Sequence, residues 1–392
     1  MKTVFFGPFI GEFGWEILYW QGWVRKLCRG PFRDHRRIVA SLPGREPLYP
    51  DADEFWPLPA YFVERGYSGH AYFVDGWQDG LPGRPVESVA RARTWFFAPG
   101  AGAVRRLVRT LGRRVVPQHV RHRIWSGQGT GVRALGGPDA EPLAERMLAE
   151  FRARLPEDTL FLVPWRYNPP VDGRVGFGVE VVPDAPAGAR FRVHQIPYSE
   201  QLLEPLGPTE RGRAELERLA GVQGRLIGIF PRCRLIRRMD KNWRREKYLE
   251  LIRRLQEHFP ARTVAIFGEP GGAYFSDHVP PGCLDLINVD PVRRLDLQLA
   301  ALHRSDFALG SISGALTFAL AAGCPVLTWG FPNFMEVYHD ANFRATPFIY
   351  HPVMDPDVEI VFGLARSLDL WVRRDHAVGR SKQQTLVGVQ DA

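Results

Sequence analysis

The chain has 392 residues, 45% of them apolar and 24% charged, with a formal net charge of +8. That length allows two domains, each with a sizeable core, and the composition excludes wholesale disorder. The excess of Arg is scattered along the chain rather than gathered in a stripe, and there is no zinc-finger spacing, basic zipper or RNP-like stretch, so no nucleic-acid partner is expected.

The four cysteines, Cys28, Cys233, Cys283 and Cys324, form no C-x-x-C pair. Neither a structural zinc site nor a disulfide scaffold is expected from them. Met1 leads straight into the strand-like run Thr3-Val4-Phe5-Phe6 without a basic segment and long apolar stretch, so no leader peptide is expected. No run of about 18 apolar residues occurs, so no integral membrane segment is expected, and cytoplasm is the expected compartment.

The first expected strand covers residues 2–6 and is broken by Gly7-Pro8 and Gly11. Residues 12–29 follow with Phe13, Ile17, Trp20, Val24 and Leu27 at helical spacing. Strands at 37–42 and 71–74 alternate with polar or helical stretches, which favours a parallel sheet. Residues 91–133 are dense in Arg and Trp without a clear period. A helix at 140–155 places Leu143, Met147, Phe151 and Leu155 on one face, and a strand follows at 160–164. Residues 168–189 are rich in Pro and Gly and read as loop or hairpin. A polar helix at 209–220 closes a first domain of residues 1–220.

From residue 225 strands and helices alternate regularly. Strands are expected at 226–230, 263–267, 284–289, 307–309 and 325–329, and helices at 244–258, 295–303, 314–322 and 358–371. This is the pattern of a doubly wound α/β sheet, forming a second domain at 221–375, and 376–392 reads as a frayed tail.

Two segments of the second domain carry chemistry. One is Asp306 to Pro325, in which a short strand ends at Gly310 and the turn Ser311-Ile312-Ser313-Gly314 enters a helix of small residues. A helix start of this kind binds phosphate through its open N–H groups and its dipole, with Ser311 and Ser313 as caps or hydroxyl donors. The other reading is a plain capped helix that binds nothing. The second segment is Gly228 to Trp243, where Arg232, Arg234, Arg237, Arg238 and Lys241 crowd behind a strand ending at Pro231. Cations there neutralise a diphosphate leaving group, unless the loop is simply solvated surface.

In this order the two segments resemble the donor domain of GT-B glycosyltransferases, and in particular the ADP-heptose heptosyltransferases of lipopolysaccharide synthesis. Lys241-Asn242-Trp243 matches that family's Lys-x-Trp loop, Phe267-Gly268-Glu269-Pro270-Gly271-Gly272 its Gly-rich turn, and the run Leu299 to Asp306 its L-x-x-L-x-A-D. The family's Asp in the next turn is replaced here by Ser311 or Ile312, and a nearby His is absent, so the resemblance extends to the superfamily rather than to the heptose donor. Arg237-Arg238-Met239-Asp240-Lys241 is also similar to the Arg-Arg-x-Asp-Lys run of α1,6-fucosyltransferases. The resemblance implies two Rossmann-like doubly wound domains facing a cleft. It also implies an acidic catalytic base at the start of the first helix, a position held here by Glu12, with Glu16 one turn on as the alternative; both also suit helix-dipole compensation. Glu336 stands where such proteins hold the ribose.

The expected activity is therefore metal-independent, inverting transfer of a hexosyl, heptosyl or fucosyl group from a nucleotide diphosphate sugar to a glycan, lipid-linked or small-molecule acceptor, with no further cofactor. The alternatives are a non-catalytic nucleotide-sugar binder or an epimerase on the same fold. A nucleotide-dependent oxidoreductase is disfavoured because G-x-G-x-x-G spacing and a ribose acid are missing.

Overall fold

The architecture is that of a computed structural model, which describes residues 2–10, 13–63, 140–163, 166–171, 174–178, 198–220, 224–233, 241–270, 272–331 and 346–378. The chain opens with strand β1 (Thr3–Phe6) and then one continuous helical stretch, made of α1 (Phe13–Trp15), a π-helical turn (Glu16–Trp20) and α2 (Gln21–Arg29). Next come β2 (Arg36–Ser41), β3 (Glu54–Pro57), the short α3 (Ala60–Val63), α4 (Ala140–Arg152) and β4 (Leu160–Leu162). These strands form a parallel sheet in the order β3-β2-β1-β4.

Strand alternation explains how this sheet is covered on both faces. Val4 and Phe6 lie under Trp20, Trp23, Val24 and Leu27, whereas Phe5 points the other way, into Met147, Leu148 and Phe151. An antiparallel hairpin of β5 (Arg166–Val171) and β6 (Arg174–Gly178) follows, overlapping the stretch read as loop or hairpin and starting two residues before it.

The second sheet begins after α5 (Glu210–Ala220). Its elements are β7 (Arg225–Phe230), α6 (Arg245–His258), β8 (Arg262–Ile266), β9 (Leu284–Asp285), α7 (Pro291–Arg304), β10 (Ser305–Ser311), α8 (Gly314–Ala321), β11 (Val326–Trp329), β12 (Phe348–His351) and α9 (Val358–Val378). All six strands run parallel in the order β12-β11-β10-β7-β8-β9. Read from β9, that is the 3-2-1-4-5-6 order of the doubly wound nucleotide folds. Ile227, Ile229, Val264, Phe307 and Leu309 bury against α6 and α9, and Leu226, Ala308 and Val326 against α7 and α8. The chain is thus α/β, with two doubly wound parallel sheets.

The loops at the carboxyl ends of the two sheets meet. Gly14 lies on Gly314: a methyl group added to Gly314 would stand 2.7 Å from Gly14 Cα. Gly44, at φ +81°, follows β2, and a Cβ there would lie 2.9 Å from the carbonyl oxygens of Pro291 and Val292 at the start of α7. The segment before α5 ties the two sheets together: Leu202 N donates to Gly22 O at 2.7 Å and Leu206 N to Ala321 O at 2.7 Å. The helix α5 itself packs on α7, where Thr209 Oγ1 donates to Asp296. One apolar cluster runs unbroken from Phe6 and Trp20 to Leu299 and Phe318.

Two strands were not expected from the sequence, β3 and β12, and two helices are longer than expected. Asp290 caps α7 by accepting from Val292 N at 2.9 Å, with Pro291 as the first helical residue, so α7 begins a turn before 295. The helix α9 continues to Val378, into the stretch read as a tail. The expected strand at 71–74 and the Arg/Trp-rich stretch 91–133 lie outside the described residues. Among the described residues no helix is long and apolar enough to cross a membrane.

The Gly14–Gly314 approach leaves no room for a side chain. Gly314→Ala should destabilise the unliganded protein by about 1–3 kcal/mol, the usual cost of overpacking. An unchanged urea or thermal midpoint would mean that these two helix starts do not touch in solution.

Candidate active site

Doubly wound sheets bind ligands beyond the carboxyl ends of their strands, where the strand order reverses. In the second sheet that point lies between β7 and β10. The strands are drawn close at their ends: Gly310 pairs with Phe230, and a Cβ on Gly310 would lie 2.7 Å from Phe230 O. The basic segment behind Phe230 and the serine turn behind Gly310, far apart in sequence, therefore open side by side.

The start of the basic loop is rigidly held. Arg232 is 7% exposed, its N–H bonds Phe230 O at 2.9 Å, and its guanidinium donates to Asn242 Oδ1. The turn behind β8 braces this loop, because Cys233 N donates to Gly272 O at 2.9 Å and Tyr274 N to Pro231 O at 2.7 Å. Lys241 is half-buried at the far side of the loop. Trp243, two residues on, is wholly buried and donates from Nε1 to Pro356 O at 2.9 Å, which makes it the anchor of the Lys241-Asn242-Trp243 run. Arg234, Arg238, Glu12 and Glu336 lie outside the described residues.

On the other side of the crevice Ser313 caps α8, its Oγ accepting from Leu316 N at 3.2 Å. Its carbonyl accepts from Thr317 N at 3.3 Å. By helix geometry the N–H groups of Gly314 and Ala315 have no intrahelical acceptor, and the helix dipole adds positive potential there. Ser311 is wholly buried, with its N–H and Oγ both against Tyr248 Oη.

Glu16 lies in the π-helical turn, a feature frequent at functional sites. Its side chain is wholly buried, and Ser41 Oγ and Tyr49 Oη each donate to Oε1 at 2.6 Å. Burial pushes the carboxyl above its ordinary range, against the opposing pull of Arg45 and the two hydroxyl donors. Arg45 is a residue that sequence reasoning missed. Its Nη1 stands 3.8 Å from Glu16 Oε2, its Nη2 3.7 Å from Glu269 Oε1 across the crevice, and its guanidinium carbon 4.0 Å from the Phe13 ring centre. The available signal was its place in Leu42-Pro43-Gly44-Arg45, a cation directly behind a strand end.

No family model matches the chain, and no curated protein matches it by sequence. Similar solved structures include a glycosyl transferase of family 9 from Veillonella parvula, at 12% identity and TM-score 0.44, covering 94% of this chain and 97% of that one. The ADP-heptose LPS heptosyltransferase II of E. coli is 16% identical at TM-score 0.44, covering 95% of this chain and 100% of that one. A UDP-N-acetylglucosamine 2-epimerase is 12% identical at TM-score 0.33, covering 99% and 100%. At such identities and TM-scores these likenesses carry no argument about function, which has to be argued from the site.

A buried carboxyl with a raised folded-state pKa contributes most to stability below its unfolded pKa, about 4.3, and that contribution is lost as pH rises through the folded value. Glu16→Gln keeps the acceptor for Ser41 and Tyr49 but cannot ionise. Its stability should therefore gain on the wild type as pH climbs from about 4 towards neutrality. Parallel pH–stability curves would show that the Glu16 carboxyl titrates as it does in water.

Proposed function

We propose that the protein is a metal-independent glycosyltransferase that moves a sugar, with inversion, from a nucleoside diphosphate sugar to an acceptor hydroxyl. The observation that carries this reading is the apposition of the two sheets' carboxyl ends, with the β7/β10 switch point facing the loop behind β1. The nucleotide lies against residues 221–375 and the acceptor, a glycan, lipid-linked sugar or small molecule, against residues 1–220. The donor is a substrate, and no further cofactor is needed.

In this reading the diphosphate spans the start of the basic loop and the N-terminus of α8. Arg232, Arg234, Arg238 and Lys241 neutralise the charge that grows on the leaving diphosphate, and Ser313 and Gly314 present the helix start to it. Ser311, sealed below, shapes the turn. Glu336 holds the ribose. Glu12 takes the proton of the acceptor hydroxyl as its oxygen attacks the anomeric carbon; the bond from that carbon to the phosphate oxygen breaks, and its electron pair leaves on the diphosphate. Attack opposite the leaving group inverts the centre. The base is assigned to Glu12 rather than Glu16 because the Glu16 carboxyl is enclosed by Ser41, Tyr49 and Arg45 and offers no surface to a substrate.

Glu12→Gln should bind nucleoside diphosphate as the wild type does and lose kcat by ~10²–10⁴-fold, the usual contribution of a positioned base. Acceptor-dependent release of nucleoside diphosphate is the readout. If Glu12→Gln stays active while Glu16→Gln is dead, the base is Glu16. If both stay active, neither acid is the base and the proton goes to another residue; a wild type that shows no acceptor-dependent release would instead favour a binding protein or an epimerase.

A further inference from the structure

One side chain lies beneath the crevice and touches both strand ends that form it. Tyr248, in the first turn of α6, is wholly buried. Its Oη donates to Phe230 O at 3.2 Å and accepts from Ser311 N at 3.3 Å, with Ser311 Oγ at 3.4 Å. Phe230 O is the last carbonyl of β7 and Ser311 N the last amide of β10. The strand pairing ends at Gly310 and Phe230. Past that pair, the phenol spans the gap between the two departing chains.

The ring is fixed as firmly as the hydroxyl. Trp243, from the end of the basic loop, meets it edge-on with ring centres 4.9 Å apart, and Tyr274 and Trp329 lie tilted to it at 6.1 Å and 6.2 Å. Tyr274 belongs to the turn that holds Pro231, and Trp329 is the last residue of β11. Segments behind β7 and β8 and the end of β11 thus converge on one aromatic ring. Burial raises the phenol to about 12, so it stays a neutral donor across the ordinary pH range.

We infer that Tyr248 is a positioning residue of the donor site: its hydroxyl sets the separation between the Pro231-Arg232 turn and the Ser311–Gly314 turn, and hence the span over which a diphosphate is held. This rests on the donor-site reading above. Tyr248 does not touch the nucleotide; it acts through Phe230 O and Ser311 N. Small displacements of preorganised binding groups are costly, so removing the hydroxyl should be felt in nucleotide binding more than in the stability of the fold.

The test compares Tyr248→Phe, which keeps the ring, with Phe259→Leu, a core substitution at the opposite end of α6. Calorimetry with UDP, GDP, ADP and dTDP gives the nucleotide affinity, and melting of the unliganded proteins gives stability. Tyr248→Phe should bind the preferred nucleotide about tenfold more weakly, the effect of one diphosphate-binding group moved out of hydrogen-bonding reach, while melting within a few degrees of the wild type. In turnover the loss should fall on the donor KM and leave the acceptor KM in place. Phe259→Leu should lower the melting temperature and leave nucleotide affinity unchanged. Wild-type affinity in Tyr248→Phe overturns the inference, as does an equal loss of affinity in Phe259→Leu, which would mark a general softening of the domain. Failure of the wild type to bind any of the four nucleotides overturns instead the donor-site reading on which the inference rests.

Discussion

Two glycine backbones in contact set the geometry of the molecule. Gly14 is the second residue of the first helical stretch, Gly314 opens α8, and neither has a side chain to hold the other off. The contact puts the loop behind β1 against the loop behind β10, so the crevice-forming ends of both sheets face each other rather than solvent. Gly44 against Pro291 and Val292 makes a second close approach. The apolar cluster shared by the two sheets then buries continuously across the boundary, with Phe13 edge-on to Phe318 at 5.7 Å. Each large side chain buried there contributes about 1.5–3 kcal/mol, so the juncture belongs to the core and is no loose hinge.

Charge at this juncture is only partly compensated: Glu16 Oε2 and Arg45 Nη1 are buried without a hydrogen-bond partner, and burial favours the neutral carboxyl. A carboxylate taken fully out of water is costly unless donors and a cation replace its hydration. Glu16 has two hydroxyl donors and Arg45 beside it, and Arg45 also faces Glu269 of the second sheet. The π-helical turn belongs to the same arrangement, because it is the element that carries Glu16 to Ser41. Two buried polar residues of the second sheet do find partners. Arg232 is nearly buried yet held by Asn242, and Ser311 is sealed under Tyr248.

The strands and helices of the second sheet were largely legible because strand and helix periods alternate there without interruption. What local pattern could not supply was strand order. The convergence of Arg232 and Ser313 depends on β7 and β10 being neighbours, which follows from the topology of the whole sheet. The strands β3 and β12 were missed because Glu54-Phe55-Trp56-Pro57 and Phe348-Ile349-Tyr350-His351 are short and do not alternate apolar with polar. Position in a helix start suggested a dipole or catalytic role for Glu16, and no period marks a charged residue as buried; its partners come from β2 and the turn behind it. Ser311 was read as a cap or a hydroxyl donor to phosphate; it is wholly buried, with Tyr248 Oη, 63 residues away in sequence, 3.4 Å from its Oγ. Arg45 stands in a stretch with no helical or strand period and shows its place only across the crevice.

In the proposed function a nucleoside diphosphate occupies the β7/β10 switch point without a metal ion. Hydrogen exchange of the backbone amides, with and without UDP, GDP, ADP or dTDP in the presence of a chelator, tests it most directly. At least one of these nucleotides should slow exchange at residues 230–233 and 313–316 together. Slowing that appears only when magnesium or manganese is added, or that falls elsewhere and leaves both segments unchanged, would contradict it.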